Sequence, residues 1–272
     1  MTFNSDKFEC LRYWPQKAIG EEFRSQHTYT DDTGNVVEEK EVLKDLGIQM
    51  SSDLSFTKHI AKTITSCRKL SGWVLRTFKS RSPDVMLTLW KSMMQSRLDY
   101  CSQLWSPYSP GDINKLEDVQ RKFTSYIDGT KGLNYRERLK KLKMSSQERR
   151  RDRYAVIFIW KVAMGLVDGY QLEFTSSTSR RGRECIVRNV IRNSPTLVQT
   201  ARLNSLSVKG AKMFNLLPSY IRNVTAEKVD IFKSKLDSFL KMIPDEPTIS
   251  EEGRAAQSNS LLHQIPMVQA RR

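Results

Sequence analysis

The chain has 272 residues and carries 45 Lys and Arg against 30 Asp and Glu, a net charge of +15. With 39% hydrophobic and 9% aromatic residues it can bury a real core, which argues against global disorder. No run approaches the roughly 18 apolar residues of a membrane span, the opening residues lack the pattern of a secretory signal, and so large an excess of positive charge draws polyanions, nucleic acid first.

Residues 1–50 read as short strands. Residues 7–13 make one candidate. The turn sequence around Asp31-Asp32-Thr33-Gly34-Asn35 sits between Thr28-Tyr29-Thr30 and Val36-Val37 and predicts a hairpin. Residues 42–50 form a third strand candidate, interrupted by Gly47. From Phe56 the period becomes helical. Phe56, Ile60, Ile64, Cys67, Leu70, Val74 and Phe78 form one stripe, with Lys58, Lys62, Arg68, Lys69 and Arg76 on the other face. Ser82-Pro83 opens a second helix with a wide apolar stripe that includes Trp90, Leu98 and Cys101. Ile113, Leu116, Val119, Phe123 and Ile127 mark a third, and residues 135–142 a short fourth. A fifth begins near Ser145 or Ser146 and runs into the apolar stretch 154–166. Short connections predict antiparallel packing. A strand candidate follows at 185–191, then helices at 207–217 and 229–243, then a polar stretch from Pro244 with no period, read as a disordered tail.

Few residues nominate chemistry. Asp31-Asp32 is the one adjacent aspartate pair. Two-metal chemistry needs carboxylates about 4 Å across two cations, but the Thr-Asp-Asp-Thr-Gly setting reads as a solvated hairpin tip. Cys10, Cys67, Cys101 and Cys185 have no metal or redox spacing; Cys67 and Cys101 are expected as buried thiols and His59 as a helix-surface residue. The basic clusters are the positive signal. Between Arg136 and Arg153 nine residues are Lys or Arg and three are acidic. Guanidinium groups keep their charge and match phosphate geometry. This nominates Arg136, Arg138, Lys140, Lys141, Arg149, Arg150, Arg151 and Arg153, with Arg180, Arg181 and Arg183 as a second cluster. The alternative is a solvated helix face. Of the tryptophans, Trp90 and Trp160 are expected in the core, and Trp105, at a helix end, is the better candidate for a partly exposed edge although packing is still the leading expectation.

The order of motifs resembles the back end of a non-LTR (LINE-like) retrotransposon reverse transcriptase, an RNA-directed DNA polymerase. The resemblance rests on Phe3-Asn4-Ser5-Asp6-Lys7-Phe8-Glu9, on Lys44-Asp45-Leu46-Gly47-Ile48, on the stretches LDYCSQLWSPY and LEDVQRKFT, and on Phe214-Asn215-Leu216-Leu217-Pro218 with Phe232-Lys233-Ser234-Lys235-Leu236. It implies that Lys7 lies near the incoming nucleotide's phosphates and that Asp45, Leu46 and Gly47 form a primer-grip-like turn. The catalytic aspartate motifs of that family are missing from this sequence, so no catalytic residue and no metal ligand is assigned; Mg²⁺ belongs only to a full-length polymerase, and the chain alone is expected to be inactive.

The resulting expectation is a mainly α fold with a small N-terminal β piece (α+β). Residues 1–52 are a remnant of a polymerase palm edge, 53–168 a helical thumb-like bundle, 169–243 a small C-terminal α/β extension and 244–272 a disordered tail. The partners are RNA, DNA or an RNA–DNA hybrid held by phosphates, together with the missing palm and fingers region of a related polymerase. A membrane is not among them, and the expected location is cytoplasmic or nuclear. Two further readings stay open: a domesticated, non-catalytic RNA- or DNA-binding protein, and a helical protein-interaction domain.

Overall fold

The computed structural model describes residues 8–13, 28–31, 34–176, 180–187, 196–225, 228–247 and 258–270. Lys7 and Asp32 lie outside them. The fold is mainly helical with one two-stranded antiparallel sheet near the N-terminus. The chain divides into two compact units: residues 1–62 with 190–203, and 63–189 with 204–272.

In the first unit, strands β1 (Val42–Asp45) and β2 (Ile48–Ser51) pair in register from Val42–Ser51 to Asp45–Ile48. The expected single strand over 42–50 is thus a hairpin. Leu46 (φ 44°) and Gly47 (φ 90°) both take positive φ, as the tight two-residue turn that matches strand twist requires. A second turn joins Thr30 to Val36, where the Val37 N–H donates to Tyr29 O at 2.8 Å and the Asn35 N–H to Asp31 Oδ1 at 2.8 Å. Cys10 pairs with the strand-like residues beyond that turn, its N–H donating to Glu38 O at 3.0 Å. His59 is buried rather than on the surface, and its Nδ1 accepts from the Gln49 N–H at 3.3 Å.

Helix α1 (Thr57–Thr77) runs from the first unit into the second. It buries Ile60, Ile64, Cys67 and Val74, the stripe that its period predicts. Helix α2 (83–99) has Pro83 in its first turn, a π-helical segment Trp90–Gln95 and a last turn Ser96–Asp99. Trp90 is 1% exposed; its Nε1–H donates to Gln95 Oε1 at 2.9 Å and its ring lies 5.1 Å from Phe123. Cys101 then takes a left-handed conformation (φ 48°) and its thiol is exposed, not buried. The short helix α3 (Ser102–Trp105) follows this break, with Trp105 fully buried. Helix α4 (Pro110–Thr124) is capped by Ser109 Oγ, which accepts from the Asp112 N–H at 3.2 Å. Helix α5 (Tyr135–Leu142) starts in a reciprocal cap between Asn134 and Glu137.

Helix α6 (Gln147–Ala163) is the central element of the second unit. Helices α3 and α4 pack on it, as do two later elements: helix α7 (206–215), which begins with a π-helical segment, and helix α9 (Val229–Leu240). Trp160 stacks on Phe232 with ring centres 4.6 Å apart and donates to Val224 O at 2.9 Å. The short helix α8 (Ser219–Arg222) connects α7 to α9. A further helix, α10 (Leu261–Ala270), lies where the polar composition suggests no order. Two of its apolar residues, Leu261 and Ile265, are fully buried in the core. Its start is fixed by Asp152, which accepts from Ser260 Oγ and the Leu261 N–H, both at 2.8 Å. One hydrophobic core therefore gathers residues 155–160, Cys185, 211–243 and 261–265. It runs across the expected boundaries at 168 and 243.

Candidate nucleic-acid interface

Helix α5 reads Tyr-Arg-Glu-Arg-Leu-Lys-Lys-Leu. Tyr135, Leu139 and Leu142 are buried, which leaves Arg136 and Lys140 at i and i+4 on another face, with Lys143 just past the helix end in left-handed conformation (φ 52°). Facing them are the end of α9 and the segment after it. Between these walls lies a groove of about 1100 Å³. Seven of its lining residues are cationic (Arg136, Lys140, Lys143, Arg149, Arg150, Arg153, Lys241) and three are acidic (Asp237, Asp245, Glu246).

The cations of this groove are of two kinds. Arg149, Arg150 and Arg153 are committed to the protein. Arg149 is 3% exposed and donates to Pro244 O at 2.6 Å and Ile243 O at 3.3 Å. Arg150 forks onto Asp99 at 3.0 and 2.7 Å and donates to Tyr154 Oη at 2.7 Å. Arg153 forks onto Asp237 at 2.5 and 2.8 Å. Lys140, Lys143 and Lys241 are exposed, and their side chains have no hydrogen-bond or ion-pair partner among the described residues. Arg136 is half-buried and donates to Pro247 O at 3.3 Å. The sequence alone does not single out Lys143 or Lys241. Lys143 stands within the basic run, whereas Lys241 becomes relevant only through the fold.

The other nominated residues are placed as follows. Arg151 is 6% exposed, lies 4.0 Å over the Trp105 ring and donates to Leu98 O at 2.7 Å. Its burial pulls its pKa down to about 10, so it stays charged at neutral pH. Arg138 donates to Leu133 O at 3.2 Å and Arg121 O at 3.1 Å, and burial lowers its pKa. Lys141 donates to Gly129 O at 2.5 Å. Arg180 and Arg181 are exposed. Arg183 donates to Ala163 O at 2.7 Å and lies 5.0 Å over Phe174. Asp45, Leu46 and Gly47 form the β1–β2 turn, with Leu46 83% exposed at its tip.

Beneath α5 a buried polar network ties three helices together. Glu117 accepts from Tyr135 Oη and from the Gln147 N–H at 2.9 Å. Burial outweighs these donors and raises the Glu117 carboxyl to about 8. The network has the character of a structural brace: it holds the first turn of α6 against α4 and α5.

Among the described residues no three His, Cys, Asp or Glu side chains gather as a metal site. No helix among them is long and apolar enough to cross a membrane. No family model matches the chain, and neither a curated protein nor a solved structure does.

Proposed function

We propose that this chain grips nucleic acid by its phosphates, as the thumb and C-terminal extension of a non-LTR reverse transcriptase would, without supplying polymerase chemistry itself. The observation that carries the reading is the groove beside α5, whose Lys140, Lys143 and Lys241 side chains have no partner among the described residues. Unpaired ammonium groups along a concave wall suit backbone contact, which positions a strand without reading its sequence. The motif order adds support, and the reading carries a cytoplasmic or nuclear location with it. The exposed turn Asp45-Leu46-Gly47 is then the primer-grip-like element, and Arg180 and Arg181 are auxiliary phosphate contacts.

The test is fluorescence anisotropy with a 20-mer RNA–DNA hybrid and matched duplex DNA across a salt series. Affinity should fall steeply with salt and depend little on sequence. The triple change Lys140→Ala, Lys143→Ala and Lys241→Ala should flatten the log–log slope by roughly 0.9 for each phosphate no longer neutralised. Absence of salt-dependent binding at low ionic strength would sink the reading. The helical interaction domain would then lead, favoured by the exposed Tyr100, Leu104 and Tyr108 on and beside α3.

A further inference from the structure

We infer that the outward face of α1 within the second unit is a second nucleic-acid surface, one that takes single strands by stacking a base on Trp73. The inference extends the nucleic-acid reading but stands on different residues. Trp73 is 45% exposed although the other tryptophans of the second unit are buried. Exposing an indole leaves a large apolar surface in water, and core packing does not account for it here. Phe78 packs against it in a T-shaped contact, with centres 5.9 Å apart and planes at 82°. Held in that contact, Trp73 still presents 45% of its surface to solvent.

The surroundings of Trp73 match a phosphate backbone. Lys69 lies one turn before it and Arg76 one turn after, at i−4 and i+3, so the two flank the ring on one side of the helix. Arg68 is exposed beside them. None of the three side chains has a hydrogen-bond or ion-pair partner among the described residues. Between Thr63 and Ser82 there are five Lys or Arg and no Asp or Glu. A stable surface helix ordinarily intersperses charges of both signs, because like charges one turn apart repel.

The geometry selects single strands. In a duplex both faces of each base are covered by its neighbours, so an indole standing on a convex helix can stack only on an unpaired or frayed base. Cations one turn to either side can then hold the phosphates flanking that base. The groove beside α5 carries unpaired cations but no such exposed ring, and so suits paired backbone.

The experiment compares an oligo(dT) 20-mer with a blunt 20-mer duplex in the full chain. Trp73→Ala should weaken oligo(dT) binding by about tenfold and leave duplex binding within about twofold. Trp73→Phe should restore most of the loss, since a phenyl ring still stacks, whereas Trp73→Leu should not. The charge variant Arg68→Ala, Lys69→Ala and Arg76→Ala should flatten the salt dependence for oligo(dT) more than for duplex. Equal loss for both probes, or rescue by leucine, would overturn the stacking assignment. Oligo(dT) binding that responds to the Lys140, Lys143 and Lys241 changes but not to Trp73→Ala would overturn the second surface and leave the groove standing. No binding of either probe by the parent would overturn both. Trp73 and the three cations are exposed, so thermal melting of each variant should match the parent; a variant that melts early is replaced by Trp73→His, which keeps a stacking ring and should bind as Trp73→Phe does.

Discussion

Replacing Arg151 separates a structural arginine from a phosphate ligand. Its guanidinium covers Trp105 at 4.0 Å and donates to Leu98 O at 2.7 Å. Arg151→Ala removes a desolvated cation–π contact worth about 2 kcal/mol. It also leaves a buried carbonyl unpaired, at about 1–3 kcal/mol, and opens a void beside an indole. One effect opposes these. The Arg151 Nε and Nη1 are buried without partners, so deleting the charge recovers part of its desolvation cost. The balance is a loss of roughly 2–4 kcal/mol. Arg151→Met fills much of the same volume without burying a charge, and should lose less than half of that. Urea unfolding followed by tryptophan fluorescence, with anisotropy on the same samples where both are folded, reads the two quantities separately. Early unfolding with unchanged affinity per folded molecule is the expected result. An alanine variant that unfolds at the parent's midpoint but binds nucleic acid weakly would refute the reasoning and return Arg151 to the interface.

Three other outcomes follow from the geometry. Glu117 has a folded pKa raised from its ordinary 4.5 to about 8, so the folded state holds its proton where the unfolded state releases it. Its stabilising effect is complete below about pH 4.5 and is lost as pH rises toward about 8; Glu117→Gln should lessen that slope, to which Glu148, raised by burial to about 7, also contributes, and an unchanged slope in denaturant melts would show that Glu117 carries none of it. Trp90→Ala should cost roughly 3–5 kcal/mol by transfer and cavity terms, measured as a lower unfolding midpoint; a parent-like melt would contradict its burial. Leu46→Asn replaces a strained left-handed leucine by a residue that tolerates that region, and should stabilise the β1–β2 turn by up to about 1 kcal/mol, seen as slower amide exchange across the hairpin; faster exchange would mean that the leucine side chain, not the backbone, holds the turn.

The helices are legible in the sequence because their signals are local. The stripe of α1, Pro83 at the start of α2 and the Asn134–Glu137 cap of α5 depend on residues within a few positions of one another. The β1–β2 turn is half legible: Gly47 marks it, but Leu46 is a residue that left-handed backbone disfavours, so residues 42–50 read as one interrupted strand. Helix α10 is illegible because its anchor is remote. Asp152, which holds the start of α10, stands 109 positions before Leu261, and no window of composition spans that distance. Cys101 is misplaced for a local reason, while Trp105 is buried as packing would have it. The left-handed backbone between α2 and α3 turns the cysteine out, and a continuous helical period cannot register such a break.

The basic run of α6 shows where charge ceases to be informative. Its arginines look alike in sequence, yet their partners are Pro244, Asp99, Leu98 and Asp237 for Arg149, Arg150, Arg151 and Arg153 in turn. Two of these partners are backbone carbonyls, which any residue supplies, so composition could not anticipate them. The two carboxylates lie 51 and 84 positions away. An arginine that satisfies a neighbouring carbonyl or carboxylate uses its donors inside the fold, and what remains for a phosphate is its reduced field. The lysines beside it keep all their donors. This is why the proposed interface falls on Lys140, Lys143 and Lys241 rather than on the densest arginines. It also explains why a fourfold alanine change at Arg149, Arg150, Arg151 and Arg153 would report chiefly on folding. The lysine triple change and Trp73→Ala act on side chains that bury little, so weaker binding in those variants reports on the interface itself.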